Sequence, residues 1–232
     1  MATKNKLRRK LALVIGIGKY EYCEKLQNPE NDANDMSSIL ESIDFIVTKK
    51  LHLKRAEMQH VLIDFENSIK QDDMVLFYFA GHGVQWEDQN YLIFTDTPNL
   101  DGAALNNSAI NAQHILDTLS DCNPYVNARD PDASEPKSIG LKAMQKAGSL
   151  IAFACAPGTV AIEGKGERNG LFTKHLLRNI RTANEDIQMI LRDVTKGVIQ
   201  ESKSKQMPFV SAALLERDIY LFSQQTNRPN EP

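Results

Sequence analysis

The sequence predicts a single α/β domain with a mostly parallel central sheet and helices on both faces. Short apolar runs rich in β-branched and aromatic residues alternate with segments whose apolar residues recur at helical spacing. The run from Met74 to Ala80 is apolar at every position, which is expected of a strand buried on both faces of a parallel sheet. The chain has 232 residues, of which 42% are hydrophobic and 25% charged, and it can bury a substantial core.

Three strands alternate with two helices in the first half of the chain. Apolar runs predict the strands Leu11–Ile17 and Met74–Ala80, and Phe45–Leu51 can form the second strand. The polar stretch that begins at Asn28 opens the first helix, whose apolar residues are Met36, Ile39, Leu40 and Ile43. Helical spacing predicts the second helix from Met58, Val61, Leu62, Phe65 and Ile69.

The second half continues the alternation around two polar loops. Its predicted strands are Asn90–Asp96 (a strand or hairpin arm), Ser149–Ala156 and Asp218–Phe222. Ser108 is expected to cap a helix that runs to about Ser120, and Asn184 to cap one that carries Ile187–Val198. Another helix carries Leu171–Ile180. The loop 123–138 contains three prolines and is unusually long for a compact domain.

These elements predict one domain over residues 11–222, between a basic extension (1–10) and a polar, disordered tail (223–232). A net charge of −3 and a pI of about 6.0 argue against a nucleic-acid partner. No apolar run approaches the roughly 20 residues that span a membrane. The chain has only three cysteines, and they are widely spaced, which favours neither a disulfide framework nor a zinc site. We therefore expect no metal or cofactor. A few free thiols suit a reducing compartment, so we expect a cytoplasmic location.

A nucleotide-binding domain is a third, weaker interpretation. Gly16-Ile17-Gly18 follows the first strand, as in a dinucleotide-binding loop. The third glycine of that loop would stand at position 21, where this chain has Glu21, and the close packing of helix and strand that it permits is lost.

His82 is the first functional candidate because it follows a buried strand and stands between Gly81 and Gly83. Open α/β sheets bind ligands beyond the carboxyl ends of their strands. The alternative interpretation is a histidine that caps the strand end and bonds to the backbone. Hydrolysis at this position needs a partner, such as a cysteine at the end of an adjacent strand, whose thiolate attacks a carbonyl while the histidine protonates the leaving amine.

Several motifs together make the sequence resemble the caspase-like peptidase domain, of the metacaspase and paracaspase types. They occur in the order of the family and cover about residues 9 to 222: Leu13-Val-Ile-Gly-Ile-Gly-Lys-Tyr, Leu26-Gln-Asn-Pro-Glu-Asn-Asp-Ala, Phe77-Tyr-Phe-Ala-Gly-His-Gly-Val-Gln, Asn90-Tyr-Leu-Ile, Ala152-Phe-Ala-Cys-Ala-Pro-Gly and Arg168-Asn-Gly-Leu-Phe-Thr-Lys-His. The resemblance implies a three-layer caspase-like fold and peptide-bond hydrolysis by a cysteine–histidine dyad.

The resemblance also implies roles for individual residues. His82 matches the catalytic histidine, and Gly83 matches the glycine whose N–H stabilises the oxyanion. Asp32 matches an acidic residue of the first specificity pocket, where a carboxylate would favour polypeptide substrates cut after Arg or Lys. The alternative interpretation of Asp32 is a helix cap.

The sequence departs from the family at the nucleophile. The family places its cysteine after a buried strand in a pattern like Leu-Asp-x-Cys-Arg, which this chain lacks between Ser120 and Ser149. We therefore expect the sheet to be short of one central strand. Cys155, at the end of another strand, could slide beside the His82 strand and replace the nucleophile, although a small buried hydrophobe is the simpler interpretation. Cys122 is a weaker substitute.

Two functions follow from this departure. The chain is either a cysteine endopeptidase that uses His82 with Cys155, or an inactive pseudoprotease that keeps the fold and binds protein partners.

Overall fold

The computed structural model of the chain describes residues 8–98, 102–121, 148–156, 161 and 166–224, except the side chains of Ala103 and Asp121. The strands are β1 (Lys10–Gly16), β2 (Phe45–Leu51), β3 (Met74–Ala80), β4 (Gly83–Trp86), β5 (Gln89–Leu92), β6 (Ile110–Asn111), β7 (Leu150–Phe153) and β8 (Phe209–Ala212). The helices are α1 (Pro29–Glu41), α2 (Arg55–Ser68), α3 (Gly102–Ser108), α4 (Ala112–Asp121), α5 (Leu171–Asn179) and α6 (Ile187–Glu201).

The central sheet has β1 in the middle, with β2 and β3 parallel to it on either side. Because side chains alternate along a strand, β1 supplies two cores. Leu11, Leu13 and Ile15 belong to the core that includes side chains of α2, α3 and α4. Ala12 and Val14 belong to the core that includes side chains of α1, α5 and α6. Helices therefore cover both faces of the sheet, as the sequence predicts.

The described sheet is interrupted beyond β3. Strand β7 pairs antiparallel with β8, and neither pairs with β3 within the described residues. Every residue of β3 before Ala80 is partly exposed, whereas every residue of β1 after Lys10 is buried. Nevertheless Leu150 of β7 and Leu76 of β3 pack against the same core. The segment 123–138, in which the sequence predicts no strand, lies outside the described residues, so the missing central strand stays a prediction.

A hairpin follows β3 directly. Strands β4 and β5 pair antiparallel, and the two residues between them, Glu87 and Asp88, both have positive φ angles of 46° and 58°. Two positive φ angles are typical of the type I′ turn, which suits the twist of a two-residue hairpin. The structure thus confirms Asn90 and its neighbours as a hairpin arm, although β5 ends at Leu92.

Several predicted helix boundaries are wrong. Ser108 is the last residue of α3, and its hydroxyl donates to the Ala104 carbonyl oxygen. Helix α4 begins at Ala112, where the Asn111 side chain accepts from the Gln113 N–H. Asp186 replaces Asn184 as the N-cap of α6, since its carboxylate accepts from the Gln188 N–H.

The last predicted strand, Asp218–Phe222, is also wrong. Only Tyr220 forms an isolated bridge, to Asp186. The final strand of the described chain is β8, which the sequence analysis did not identify.

In the described part of the chain, no helix is both long and apolar enough to cross a membrane.

Candidate active site

His82 stands where β3 leaves the sheet and the β4–β5 hairpin begins. Because β1, β2 and β3 are parallel, their carboxyl ends meet at this edge, and the loops that follow them lie side by side. Ile17 donates its N–H to the Ala80 carbonyl oxygen over 2.8 Å, so the chain leaving β1 starts beside the chain leaving β3.

The loop after β1, residues 17–27, holds His82 at two points. The backbone N–H of His82 donates to the Tyr20 hydroxyl oxygen over 2.7 Å. The His82 ring nitrogen Nε2 lies 2.8 Å from the carbonyl oxygen of Glu24. The Tyr20 ring also packs against the imidazole, with 4.7 Å between ring centroids and 47° between planes.

The Glu24 contact fixes the tautomer of His82. A carbonyl oxygen can only accept a hydrogen bond, so Nε2 must carry the proton. In the neutral imidazole Nδ1 then has the lone pair, and it makes no hydrogen bond to the described residues. The geometry therefore prepares Nδ1 to take a proton from a neighbouring group.

The loop itself is closed by backbone contacts. The Leu26 N–H donates to the Gly18 carbonyl oxygen over 3.0 Å, and the Glu21 N–H donates to that of Thr95 over 2.9 Å. A Cβ at Gly18 would lie 2.6 Å from the Leu26 carbonyl oxygen, so only glycine permits this closure. The Gly16-Ile17-Gly18 pattern thus serves backbone packing here.

Gly83 has a different environment from the other glycines of the site. It is exposed, and a Cβ there would meet only the Tyr91 carbonyl oxygen, at an ordinary contact distance of 3.7 Å. The fold of this chain therefore does not require glycine at position 83.

Asp32 lies in the first turn of α1 and is only 5% exposed. The alternative that it caps the helix is wrong, because Asn28 is the N-cap and the Asp32 carboxylate accepts from the Gly170 N–H over 3.1 Å. Burial raises the pKa of Asp32 to about 6, against the opposing effect of hydrogen bonds from Asn169, Gly170 and Thr173. Asp32 therefore exchanges a proton near neutral pH.

The polar residues around Asp32 bind the segment 167–170 to α1. Asn28 and Asn31 donate to the carbonyl oxygens of Glu167 and Arg168, respectively. The Arg168 guanidinium pairs with Asp35 and holds the pKa of that carboxyl below its usual range. The sequence indicated these two stretches only as motifs of the family and as the starts of helices, because the contacts join residues more than 130 positions apart.

The same cluster touches the end of β3. The Tyr78 hydroxyl lies 2.7 Å from the Thr173 hydroxyl, and burial together with the nearby Asp32 charge raises the Tyr78 pKa. Tyr78 is four residues before His82, which follows β3, so Asp32 and His82 both lie near the carboxyl end of that strand.

The cysteines are placed unevenly around His82. Cys155 follows β7 and is half-buried, but its strand pairs with β8, and the hydrogen bonds of His82 go to the loop after β1. Cys23 stands in that loop, and burial raises the pKa of its thiol. Cys122 lies outside the described residues.

Within the described segments, no three His, Cys, Asp or Glu side chains come together as metal ligands.

Comparisons with known proteins identify the architecture. The family model described as the caspase domain matches residues 9–220. Caspase-1 from Spodoptera frugiperda has a similar structure, with a TM-score of 0.67 and 17% identity over 95% of this chain and 94% of that one. The Drosophila initiator caspase Dronc gives a TM-score of 0.63 and 14% identity over 93% and 85%. The predicted fold class is thus confirmed.

Two curated relatives are the mucosa-associated lymphoid tissue lymphoma translocation protein 1 of Homo sapiens and its Mus musculus homolog. They are 26% and 25% identical to this chain over 221 residues, which is 90% of the chain. The chain spans 26% of the length of each relative.

Proposed function

The chain belongs to the caspase-domain family, and on that premise we propose that it is a cysteine endopeptidase domain in which His82 transfers the proton. The observation that carries this proposal is the state of the imidazole at the end of β3. Its Nε2–H bonds to the Glu24 carbonyl oxygen, and its Nδ1 keeps a lone pair that makes no hydrogen bond to the described residues, as a general base requires.

The proposed reaction uses the Cys155 thiol as the nucleophile. Nδ1 of His82 takes the thiol proton, and the thiolate sulfur bonds to the carbonyl carbon of the substrate. The C–N bond then breaks, and the imidazolium returns the proton to the leaving amine. Water hydrolyses the thioester to the acid and restores the thiol, so the proton and the sulfur are recovered. This reaction requires Cys155 to come within hydrogen-bond reach of Nδ1.

Gly83 is proposed to stabilise the oxyanion through its N–H. Its exposure supports this role, and so does the room around its Cα, which neighbouring side chains do not use. A substrate carbonyl can approach such a backbone closely.

Asp32 is proposed to select substrates with Arg or Lys before the cut bond. Its carboxylate is buried at the same sheet edge as His82, where a cationic side chain would meet little competition from water. A bound cation favours the ionised carboxylate, so substrate binding should offset the burial that raises the pKa of Asp32.

The test is an active-site label. The purified chain is treated with a cysteine-directed alkylating peptide that ends in Arg, which forms a stable thioether, and the labelled residue is mapped by mass spectrometry. The proposal expects label at Cys155 that disappears in His82→Ala and falls at least about ten-fold in Asp32→Asn. Cys23→Ser is the matched thiol control, because burial raises the pKa of Cys23 and disfavours its thiolate.

Equal labelling of Cys155 in wild type and His82→Ala would contradict the dyad. A peptide that ends in Asp is the substrate control, and equal reaction with it would contradict the role of Asp32. Circular dichroism of each variant checks that the fold is retained.

A second candidate is an interaction module that binds protein partners without cleaving them. The separation of β3 from β7 within the described residues favours it, as does the absence of a Leu-Asp-x-Cys-Arg motif from the sequence. A folded protein in which the probe labels no cysteine would contradict the peptidase, and measured binding of a polypeptide that stays uncut would support this candidate. For both candidates the proposed partner is a polypeptide, and the proposed compartment is the cytoplasm.

A further inference from the structure

We infer that Tyr20 is the positioning residue of His82: its hydroxyl fixes the backbone of His82 while its ring sets the plane of the imidazole. This inference rests on the proposed function of His82 as the proton-transfer group. Tyr20 is 2% exposed and stands in the loop after β1, and it contacts His82 through both its hydroxyl and its ring.

The hydrogen bond between the His82 N–H and the Tyr20 hydroxyl fixes the direction of the backbone after β3. The Tyr20 oxygen accepts from the His82 N–H over 2.7 Å, and this N–H follows directly on the last residue pairs of the β1–β3 ladder. A polar N–H that is shielded from water and lacks an acceptor is costly, so this bond selects one direction for the backbone. That direction lets the imidazole reach the Glu24 carbonyl oxygen.

The ring contact limits rotation of the imidazole. With 4.7 Å between centroids, the Tyr20 ring bounds one side of the His82 ring while Glu24 holds its Nε2 corner. Two contacts at different points of a planar ring leave it little freedom, so Nδ1 keeps one direction.

Gly81 has a matching role. A Cβ at Gly81 would lie 2.7 Å from the Tyr20 hydroxyl oxygen and 2.9 Å from the Phe79 ring. The hydroxyl therefore occupies the space that a side chain at position 81 would need. This contact explains why glycine precedes His82, whereas the fold has room for a side chain at position 83.

The experiment measures His82 directly by NMR in the full chain. Tyr20→Phe removes only the hydroxyl, Tyr20→Leu removes the ring as well, and Tyr22→Phe is the matched control because Tyr22 is 62% exposed. We expect amide hydrogen exchange of His82 to become about ten-fold faster in Tyr20→Phe, as for the loss of one hydrogen bond. In Tyr20→Leu the imidazole ¹⁵N shifts should change from the Nε2–H tautomer to a mixture. Tyr22→Phe should match wild type in both.

A merely structural tyrosine would lower the melting temperature and leave the tautomer of His82 unchanged, which would overturn the inference. Unchanged exchange in Tyr20→Phe would overturn it too, and this variant keeps the ring in case Tyr20→Leu fails to fold. If wild type cleaves peptide, kcat should fall about ten-fold in Tyr20→Phe at constant KM. If wild type cleaves nothing, the proposed peptidase fails, and the two NMR readouts still decide the role of Tyr20.

Discussion

Replacing Asp32 with Asn should stabilise the protein at neutral pH, although it removes a residue of the proposed specificity pocket. Burial raises the pKa of Asp32 from 3.8 to about 6, so at pH 7 the folded protein holds a carboxylate that it accommodates less well than water does. A shift of about 2 pH units at about 1.36 kcal/mol each is a cost of about 3 kcal/mol. This shift is already the net effect of burial and of the opposing hydrogen bonds from Asn169, Gly170 and Thr173. We therefore expect Asp32→Asn to gain up to about 3 kcal/mol at pH 7.

The sign of the pH dependence follows from linkage. Between pH 4 and 6 the folded state binds a proton at Asp32 that the unfolded state has released, so the free energy of unfolding of the wild type decreases as the pH rises. Asparagine does not titrate, so the advantage of the variant should grow through this window and stay constant above pH 7. Urea unfolding at pH 4, 5, 6 and 7.5 measures the difference.

Asp35→Asn is the matched control, because Arg168 lowers the pKa of Asp35 and the expected change has the opposite sign. Asp35→Asn should lose stability at neutral pH and approach wild type in acid. An advantage of Asp32→Asn that is the same at pH 4 and pH 7.5 would refute the reasoning. So would a loss at every pH, which would mean that the carboxylate stabilises segment 167–170 more than its burial costs.

Three further substitutions have defined outcomes. Gly83→Ala should leave the melting temperature within about 2 °C of wild type while reducing labelling by the Arg-ended probe. Gly81→Ala should destabilise the fold, since of these two positions only 81 lacks room for a Cβ. Thermal melts of both variants measure the difference. Ser37→Ala should raise the free energy of unfolding by about 1 kcal/mol in urea titrations, because the Ser37 hydroxyl is buried with no hydrogen-bond partner among the described residues. A loss of stability would contradict this account. Asp73→Asn should lower the free energy of unfolding by about 1–2 kcal/mol at pH 7, since Arg9 lowers the pKa of the Asp73 side chain, which is 4% exposed. This loss of stability should shrink as the pH falls below about 4. A loss that does not depend on pH in the same titrations would contradict a contribution from the Arg9–Asp73 ion pair.

The sequence predicted the elements whose signal is local. Strand β2 has the predicted bounds, Phe45–Leu51, and β3 ends just before His82 as expected. The run from Met74 to Ala80 is apolar at every position, so its own residues indicate a strand. Strand β8 has four residues with only partial burial and therefore gave no such signal.

Local polar signals were less reliable because one side chain has several possible partners. Ser108 is of a residue type that caps helices, yet its hydroxyl bonds backwards to the Ala104 carbonyl oxygen inside α3. Asp32 likewise occurs where caps are common, but its partner is the Gly170 N–H, 138 residues further along the chain. The Glu24 carbonyl oxygen that sets the His82 tautomer is a backbone group, so no residue type could have indicated it.

The way in which His82 is held limits what its geometry says about activity. Tyr20, Glu24 and Gly81 all lie in or beside the loops that leave β1 and β3, and none of them is in β7 or in the segment where the family keeps its nucleophile. The arrangement therefore persists whether or not a thiol reaches Nδ1. An active peptidase and an interaction module would share the same oriented imidazole, with the same tautomer and the same Tyr20 contact. Only reaction at a cysteine that depends on His82 separates the two, which is why the labelling of Cys155 must be compared between wild type and His82→Ala.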